Sequence, residues 1–199
     1  MLEDGEIALD VRAGDEFAAA HVPGSINIAL SGQFATWAGT ILGLTARPVL
    51  IADTEQQIEE ARVRVARVGI ETLGGYLAGG VAAWRQVGLP VATIPQITVN
   101  ELDDRLQSAQ VQVLDVRREP EWGAGHIEGA AWWPLDNFKV SPPEIDHDTP
   151  LAVHCKGGYR SMIASSLLRR AGFKHVQNVV GGFDAWEEAK LPSVTAVKV

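Results

Sequence analysis

The one cysteine of this 199-residue chain lies in Leu151-Ala-Val-His-Cys155-Lys-Gly-Gly-Tyr-Arg160-Ser161. Leu151 to Val153 reads as a short buried strand. A helical pattern follows the loop at once, with Ile163, Ala164, Leu167, Leu168 and Ala171 on one face and Gly172 as its stop. Strand, glycine loop and helix start in that order can make a bowl for anions. Gly157 and Gly158 allow successive N–H groups to turn into one concavity, and the first helical turn adds unpaired donors and the positive end of its dipole. A thiolate at the mouth of the bowl is stabilised by those donors and by Lys156 and Arg160. The same donors would accept an oxyanion brought to the sulfur. An isolated cysteine is more often a small buried residue than a nucleophile. Here the glycines, two cations and a helix start converge on it, which favours a nucleophile that works on an anionic substrate.

Composition narrows the function classes. A net charge of −8 argues against nucleic acid or an anionic membrane surface as a general partner. No apolar run approaches the length of a transmembrane helix, and no basic-then-apolar leader opens the sequence. One cysteine cannot form an internal disulfide, which suits a reducing compartment and a cytoplasmic location. The histidines His21, His126, His147, His154 and His175 are scattered with no pair at ligand spacing, so no metal is expected.

The elements that must position the cysteine occur twice. Ile7-Ala-Leu-Asp-Val-Arg12 returns as Gln112-Val-Leu-Asp-Val-Arg117, and Phe17-Ala-Ala-Ala-His21-Val-Pro-Gly24 returns as Trp122-Gly-Ala-Gly-His126-Ile-Glu-Gly129. Gly79-Gly80-Val-Ala-Ala83-Trp84, closed by Leu89-Pro90, returns as Gly181-Gly182-Phe-Asp-Ala185-Trp186, closed by Leu191-Pro192. Two copies with a period near 100 residues describe two domains of one fold, with a join near Thr93-Ile-Pro95-Gln96. The expected domains are therefore 1–95 and 96–199. Each copy alternates strand and helix, the rhythm of an α/β domain built on a mainly parallel, five-stranded sheet flanked by helices. In the second copy the expected strands are 111–116, 131–133, 151–153 and 176–180. Helices or turns are expected over 119–125, 161–171 and 183–189. Ligands of such sheets bind beyond the carboxyl ends of the strands, where Cys155 falls.

The four segments Asp115-Val-Arg117, Gly125-His126-Ile-Glu-Gly129-Ala130, Cys155 to Ser161 and Gly181-Gly182-Phe-Asp-Ala-Trp186 together resemble the rhodanese family of sulfurtransferases. The first half resembles the same family through Asp10-Val-Arg12, Ala20-His21-Val-Pro-Gly24 and Gly79 to Trp84, so the chain looks like a tandem rhodanese. It is also similar to the paired rhodanese modules that follow a metallo-β-lactamase-fold persulfide dioxygenase in some bacterial proteins, most visibly over Gly32 to Gly39. That likeness implies a persulfide dioxygenase domain in the same or a partner chain.

The resemblance implies that Cys155 takes the outer sulfur of a small anionic donor, thiosulfate or a low-molecular-weight persulfide. It would hold that sulfur as a persulfide and pass it to cyanide, sulfite or a thiol, with no cofactor. Lys156, Gly157, Gly158, Tyr159, Arg160 and Ser161 would line the substrate site, and Asp115 and Arg117 would support it from a neighbouring strand end. The six residues from Cys155 to Arg160 match the loop length associated with sulfur substrates. Phosphatase and arsenate-reductase relatives carry one residue more, and such an enzyme is one rival reading. A non-catalytic persulfide carrier or interaction module is the other. Glu128 stands where relatives commonly carry proline, as the first copy does at Pro23.

The first copy departs at the loop. Aligning Val49-Leu-Ile-Ala-Asp53 with Leu151-Ala-Val-His-Cys155 puts Ala52 or Asp53 at the cysteine's place, and the residues from Thr54 to Glu60 contain no glycine and three glutamates. A structural role is expected for this domain. Fewer residues precede its Leu-Asp-Val-Arg strand than precede the second, which suggests that Met1 begins a fragment. The recurrence of His126 as His21, and of Asp115 and Arg117 as Asp10 and Arg12, argues for structural duties first. His154 should point away from the sulfur, because strand neighbours alternate faces. Trp84, Trp132, Trp133 and Trp186 read as packing residues, with Trp132 or Trp133 also placed to line the substrate mouth.

Overall fold

The structure, a computed structural model, describes residues 6–195. The chain ends 1–5 and 196–199, and with them the expectation that Met1 begins a fragment, lie outside the described residues. Two compact units divide the chain, Met1–Thr93 and Ile94–Val199. Among the described residues no helix is long and apolar enough to cross a membrane.

The first unit runs β1 (Glu6–Asp10), α1 (Gly14–Ala19), β2 (Ile26–Asn27), α2 (Phe34–Leu42), β3 (Arg47–Ile51), α3 (Glu55–Ala66), β4 (Gly75–Tyr76) and α4 (Gly80–Gln86). Its parallel sheet has the order β2-β1-β3-β4. The second unit runs β5 (Gln96–Ile97), α5 (Val99–Gln107), β6 (Gln112–Asp115), α6 (Glu119–Ala124), β7 (Ala131–Trp132), a 3-10 turn (Leu135–Lys139), β8 (Leu151–His154), α7 (Tyr159–Arg170), β9 (Val176–Val179) and α8 (Gly182–Glu188). Its parallel sheet has the order β5-β9-β8-β6-β7. Parallel strands need helical crossovers, which cover both faces and make the central strands apolar along their length. In β8 all four residues are buried.

The sequence predicts five strands in each unit, and the first has four among the described residues. The difference is β5, which pairs with β9 through Gln96↔Asn178 and Ile97↔Val179. Its short Gln-Ile stretch carries no period-2 signal, so the strand is defined by its partner rather than by its own residues. Helix α5 is likewise outside the predicted elements, although Thr98 and Glu101 form a capping box that starts it. Thr98 Oγ1 accepts from Glu101 N at 3.2 Å, and Glu101 Oε2 accepts from Thr98 N at 2.7 Å.

Helix α7 begins two residues earlier than its apolar pattern suggests. Gly158 is its N-cap with φ 100°, a left-handed conformation that glycine adopts without strain, so Tyr159 and Arg160 enter the first turn. The core of the second unit joins sheet and helices: Ile97, Leu102, Val113, Ala152, Phe183 and Trp186 form one buried cluster. The Trp–Leu–Pro endings also acquire a physical reason. Trp84 Nε1 donates to Pro90 O at 2.7 Å and Trp186 Nε1 to Pro192 O at 2.9 Å, closing the last helix of each unit.

Candidate active site

Cys155 follows the last residue of β8 and is 1% exposed. Three elements shape the loop around it. From within, Gly158 donates its N–H to Cys155 Sγ at 3.1 Å. From α7, the Ser161 hydroxyl lies 3.6 Å from the sulfur, with its oxygen positioned to accept from the thiol. That hydroxyl has one proton, and Asn178 Oδ1 at 2.7 Å and Gly158 O at 3.0 Å both compete for it. Asn178, on β9, is in turn held by Gln96 Oε1 at 2.9 Å from its Nδ2. The chain Gln96–Asn178–Ser161 therefore locks the residue behind the sulfur.

From the far side, α8 clamps the loop backbone. Phe183 N donates to Cys155 O at 2.8 Å and Asp184 N to Lys156 O at 3.0 Å. That close approach needs Gly182. Its φ is +57°, and a Cβ there would stand 2.4 Å from Cys155 O and 2.5 Å from Lys156 O, far inside van der Waals contact. Gly157, by contrast, has no positive φ, and an added Cβ would meet only Asp184 Oδ2 at 3.8 Å. Gly158 alone supplies the turn that the sequence pattern assigns to both glycines.

The charged residues are arranged differently from a bowl of free cations. Arg160 does not aim an unpaired guanidinium at the sulfur. Its Nη1 and Nη2 bond Glu121 Oε2 and Oε1 at 2.7 and 2.6 Å, a two-pronged pair reaching from α7 to α6. The hydrogen bond to Arg160 holds the Glu121 carboxyl below the usual carboxylate range, and Glu121 raises the Arg160 guanidinium. Asp115 and Arg117 form a second such pair, buried, with Arg117 Nη2 at 2.5 Å and Nε at 2.8 Å from Asp115 Oδ2. Arg117 also donates to Gly125 O at 2.8 Å, and its guanidinium sits 3.9 Å over the Phe183 ring. Lys156 remains exposed at the loop tip. Beside it opens a cleft of about 340 Å³ whose lining includes Glu121, Gly125, Lys156, Phe183, Asp184 and Glu187.

His154 is fully buried in register with Asp115, its Nε2 3.4 Å from Asp115 Oδ2 and its Nδ1 3.2 Å from Cys155 O. Burial pushes its pKa down, with Arg117 adding to that and Asp115 partly opposing it. His126 stacks on Trp122 at 3.7 Å and bonds Trp122 O, and His21 stacks on Phe17 at 3.9 Å and bonds Phe17 O, so the two histidines make matching contacts. Trp132 stacks on Trp122 and donates to Arg117 O, while Trp133 donates to Ser141 O. Glu121, Asn178 and the reason for Gly182 emerge only from the structure. Of these, Glu121 alone leaves a trace in the chain: it precedes Trp122 as Glu16 precedes Phe17.

The first unit has the same frame without the site. Sheet register places Asp10 opposite Ile51 as Asp115 is opposite His154, so Ala52, not Asp53, stands where Cys155 does. The helix then starts after Thr54, two residues on, rather than after Gly158, three residues on. The donors of this shorter loop are already consumed: Gln57 Oε1 accepts from Asp53 N at 3.0 Å and Thr54 N at 3.1 Å. Its cleft of about 220 Å³ is lined by Asp53 and Glu55 rather than cations.

Two parallel α/β units, one with a cysteine loop at the end of its central strand, agree with what comparison with known proteins finds. The rhodanese-like domain family matches residues 1–87 and again 98–189, and the chain belongs to it. Thiosulfate sulfurtransferase GlpE from Shewanella oneidensis is 33% identical over 99 residues, half of this chain and 98% of that protein. The tRNA uridine(34) hydroxylase of Chlamydia trachomatis is 36% identical over 111 residues, again half of this chain, and the match spans only about a third (34%) of that relative's length. A solved structure of a rhodanese-related protein from Thermoplasma volcanium is 27% identical, covering 51% of this chain and 99% of that one, with a TM-score of 0.48.

Proposed function

We propose that the second domain is a sulfurtransferase and that Cys155 carries the sulfur. The observation that carries this reading is the Gly158 N–H on Cys155 Sγ at 3.1 Å, inside a six-residue loop clamped by α8. A donor N–H fixed at the sulfur stabilises negative charge there, on the thiolate and then on the persulfide. The Cys155 thiolate attacks the outer sulfur of the donor. The bond between the donor's two sulfurs breaks, and sulfite leaves thiosulfate with the electron pair, or a thiol leaves a low-molecular-weight persulfide. An acceptor, cyanide, sulfite or a thiol, then attacks the outer sulfur of the enzyme persulfide and restores the thiolate. Lys156, Gly157, Tyr159 and Arg160 form the walls of the loop, Ser161 backs the sulfur, and Asp115 and Arg117 hold the neighbouring strand end in place. No cofactor takes part.

Membership of the rhodanese-like family and the near full-length match to a thiosulfate sulfurtransferase support the reaction class. The single cysteine suits a reducing, cytoplasmic setting. A persulfide dioxygenase domain, in the same or a partner chain, is a fitting companion, because it acts on the same class of sulfur species. The six-residue loop from Cys155 to Arg160 weighs against a phosphatase, whose loop is one residue longer.

The test is intact mass after incubation with thiosulfate, with Cys155→Ser alongside. The expected result is a gain of one sulfur atom in the parent alone, removed by cyanide. No gain with thiosulfate or a persulfide donor, while the thiol remains free to alkylation, would overturn the reading.

A further inference from the structure

The cleft beside the loop is not electropositive, although a sulfur donor such as thiosulfate is a dianion. Two guanidiniums stand next to it, and both are already paired. Arg117 is held by Asp115 in a buried two-pronged pair, and Arg160 is held by Glu121 at 2.6 and 2.7 Å. What remains on the wall is one ammonium, Lys156, against the carboxylates of Asp184 and Glu187, so the cleft carries net negative charge. Among the described residues none of these three has an ion-pair partner. Glu121 is also fixed from its own element, since its Oε2 accepts the Arg118 N–H at 3.2 Å at the start of α6. The carboxylate is therefore tethered, takes two of the five N–H donors of Arg160, and draws the guanidinium of α7 toward α6.

We propose that Glu121 is a specificity-determining residue: by holding Arg160 it makes the site favour a sulfur donor of low net charge, such as an amine-bearing alkyl persulfide, over the thiosulfate dianion. The inference rests on the reading of Cys155 as the sulfur carrier and adds what that reading leaves open, the charge class of the donor. A zwitterionic persulfide places its ammonium against Asp184 and Glu187 and presents its outer sulfur to Cys155. Attack there breaks the persulfide S–S bond and releases the parent thiol, leaving the sulfur on the enzyme. Thiosulfate would instead bring two negative charges beside the unpaired carboxylates of Asp184 and Glu187, with one exposed lysine to meet them. Removing the Glu121 charge frees Arg160 to meet an oxyanion in the bidentate fashion that guanidinium favours.

The experiment measures the second-order rate of Cys155 persulfidation in the full chain with two donors, thiosulfate and cysteine persulfide, in the parent and in Glu121→Gln. Glutamine keeps the side chain's shape and an oxygen for the Arg118 N–H. The ratio of the thiosulfate rate to the cysteine persulfide rate is expected to rise about tenfold in the variant, the size of effect that one new charge-assisted hydrogen bond to the donor produces. That rise should shrink as salt is raised. An unchanged ratio, or both rates falling together, would overturn the proposal and leave Glu121 as a brace for Arg160. If Glu121→Gln does not fold, Asp184→Asn and Glu187→Gln give the second arm: each should lower the cysteine persulfide rate and raise the thiosulfate rate, and no change in either would equally refute a charge-selective cleft. A parent that takes sulfur from neither donor refutes the sulfurtransferase reading itself, and is told apart from these outcomes by the parent's own rates.

Discussion

The two domains are one fold with two different loops at the end of the central strand, and setting them side by side separates what the frame requires from what the cysteine loop adds. Both keep an Asp–Arg pair at the end of a central strand, with the arginine also bonding a carbonyl eight residues on, Ala20 O in the first and Gly125 O in the second. Both keep a glycine at positive φ whose missing Cβ, which would stand 2.4 Å from a loop carbonyl, lets the last helix approach, Gly80 against Ala52 O and Gly182 against Cys155 O. Features present in a domain with no thiol serve the fold first. What the second domain has alone is short: Cys155, one extra loop residue, Gly158 at the helix start, the Ser161–Asn178 lock and the Arg160–Glu121 pair. On the proposed function the rhodanese-like frame supplies no reactivity of its own, and the chemistry sits in a handful of residues on one loop and the helices against it.

The most direct challenge to that division lies at the cysteine position. Cys155→Ala should abolish sulfur uptake by intact mass. Adding Ala52→Cys to that variant should not restore it, with uptake about 100-fold or more slower than the parent. In the first domain Gln57 already occupies the loop donors and the shorter loop has no Gly158 equivalent, so the transition-state charge lacks its fixed N–H groups. Restoration by Ala52→Cys alone would show that the frame is sufficient.

A second pair of variants addresses the scaffold. Gly80→Ala and Gly182→Ala place the same Cβ against the same kind of carbonyl at φ of +58° and +57°, and each should cost about 2–4 kcal/mol in denaturant unfolding. Only Gly182→Ala should also slow sulfur uptake, because its clash falls on Cys155 O and Lys156 O. Equal stability of the parent and both variants would mean that the close approach is not the constraint the geometry implies.

The smallest effect concerns pH. Burial holds the His154 pKa below its value in the unfolded chain, so the unfolded state binds the proton first as pH falls. The stability this contributes is fully present above about pH 6.5 and is lost as pH drops below it, by at most about 1.4 kcal/mol per pH unit. The first domain has Ile51 at that register position, which cannot titrate. Melts at pH 7 and pH 5 should show a smaller acid loss in His154→Ile than in the parent. An equal loss in both would remove His154 as the source.

Much of this is legible in the chain because local rules act on local residues. The duplicated Asp-Val-Arg and Gly-Gly-x-x-Ala-Trp segments define two domains. The placing of Cys155 between an apolar run and a helical pattern locates the loop at a strand end, where α/β sheets bind ligands. Gly172 stops its helix in a left-handed conformation, φ 97°. Apolar spacing puts the start of that helix two residues late, because a cap is set by the conformation of one glycine and not by periodicity. Strand β5 and helix α5 escape the pattern for a related reason. A two-residue edge strand has no period of its own and exists through its pairing with β9.

The chemistry of single residues is written in the sequence: one thiol, its glycine turn, and a first domain that lacks both. How the charges are used is settled only in the folded chain. Arg160 and Glu121 are 39 residues apart and meet because α6 and α7 follow the carboxyl ends of the adjacent parallel strands β6 and β8. Ser161 is tied to Asn178, 17 residues on, and Asn178 to Gln96, 82 residues back. A cation counted along the chain is a full positive charge, but in three dimensions its effect depends on which carboxylate reaches it first. That is a property of packing distances, to which the order of residues is blind.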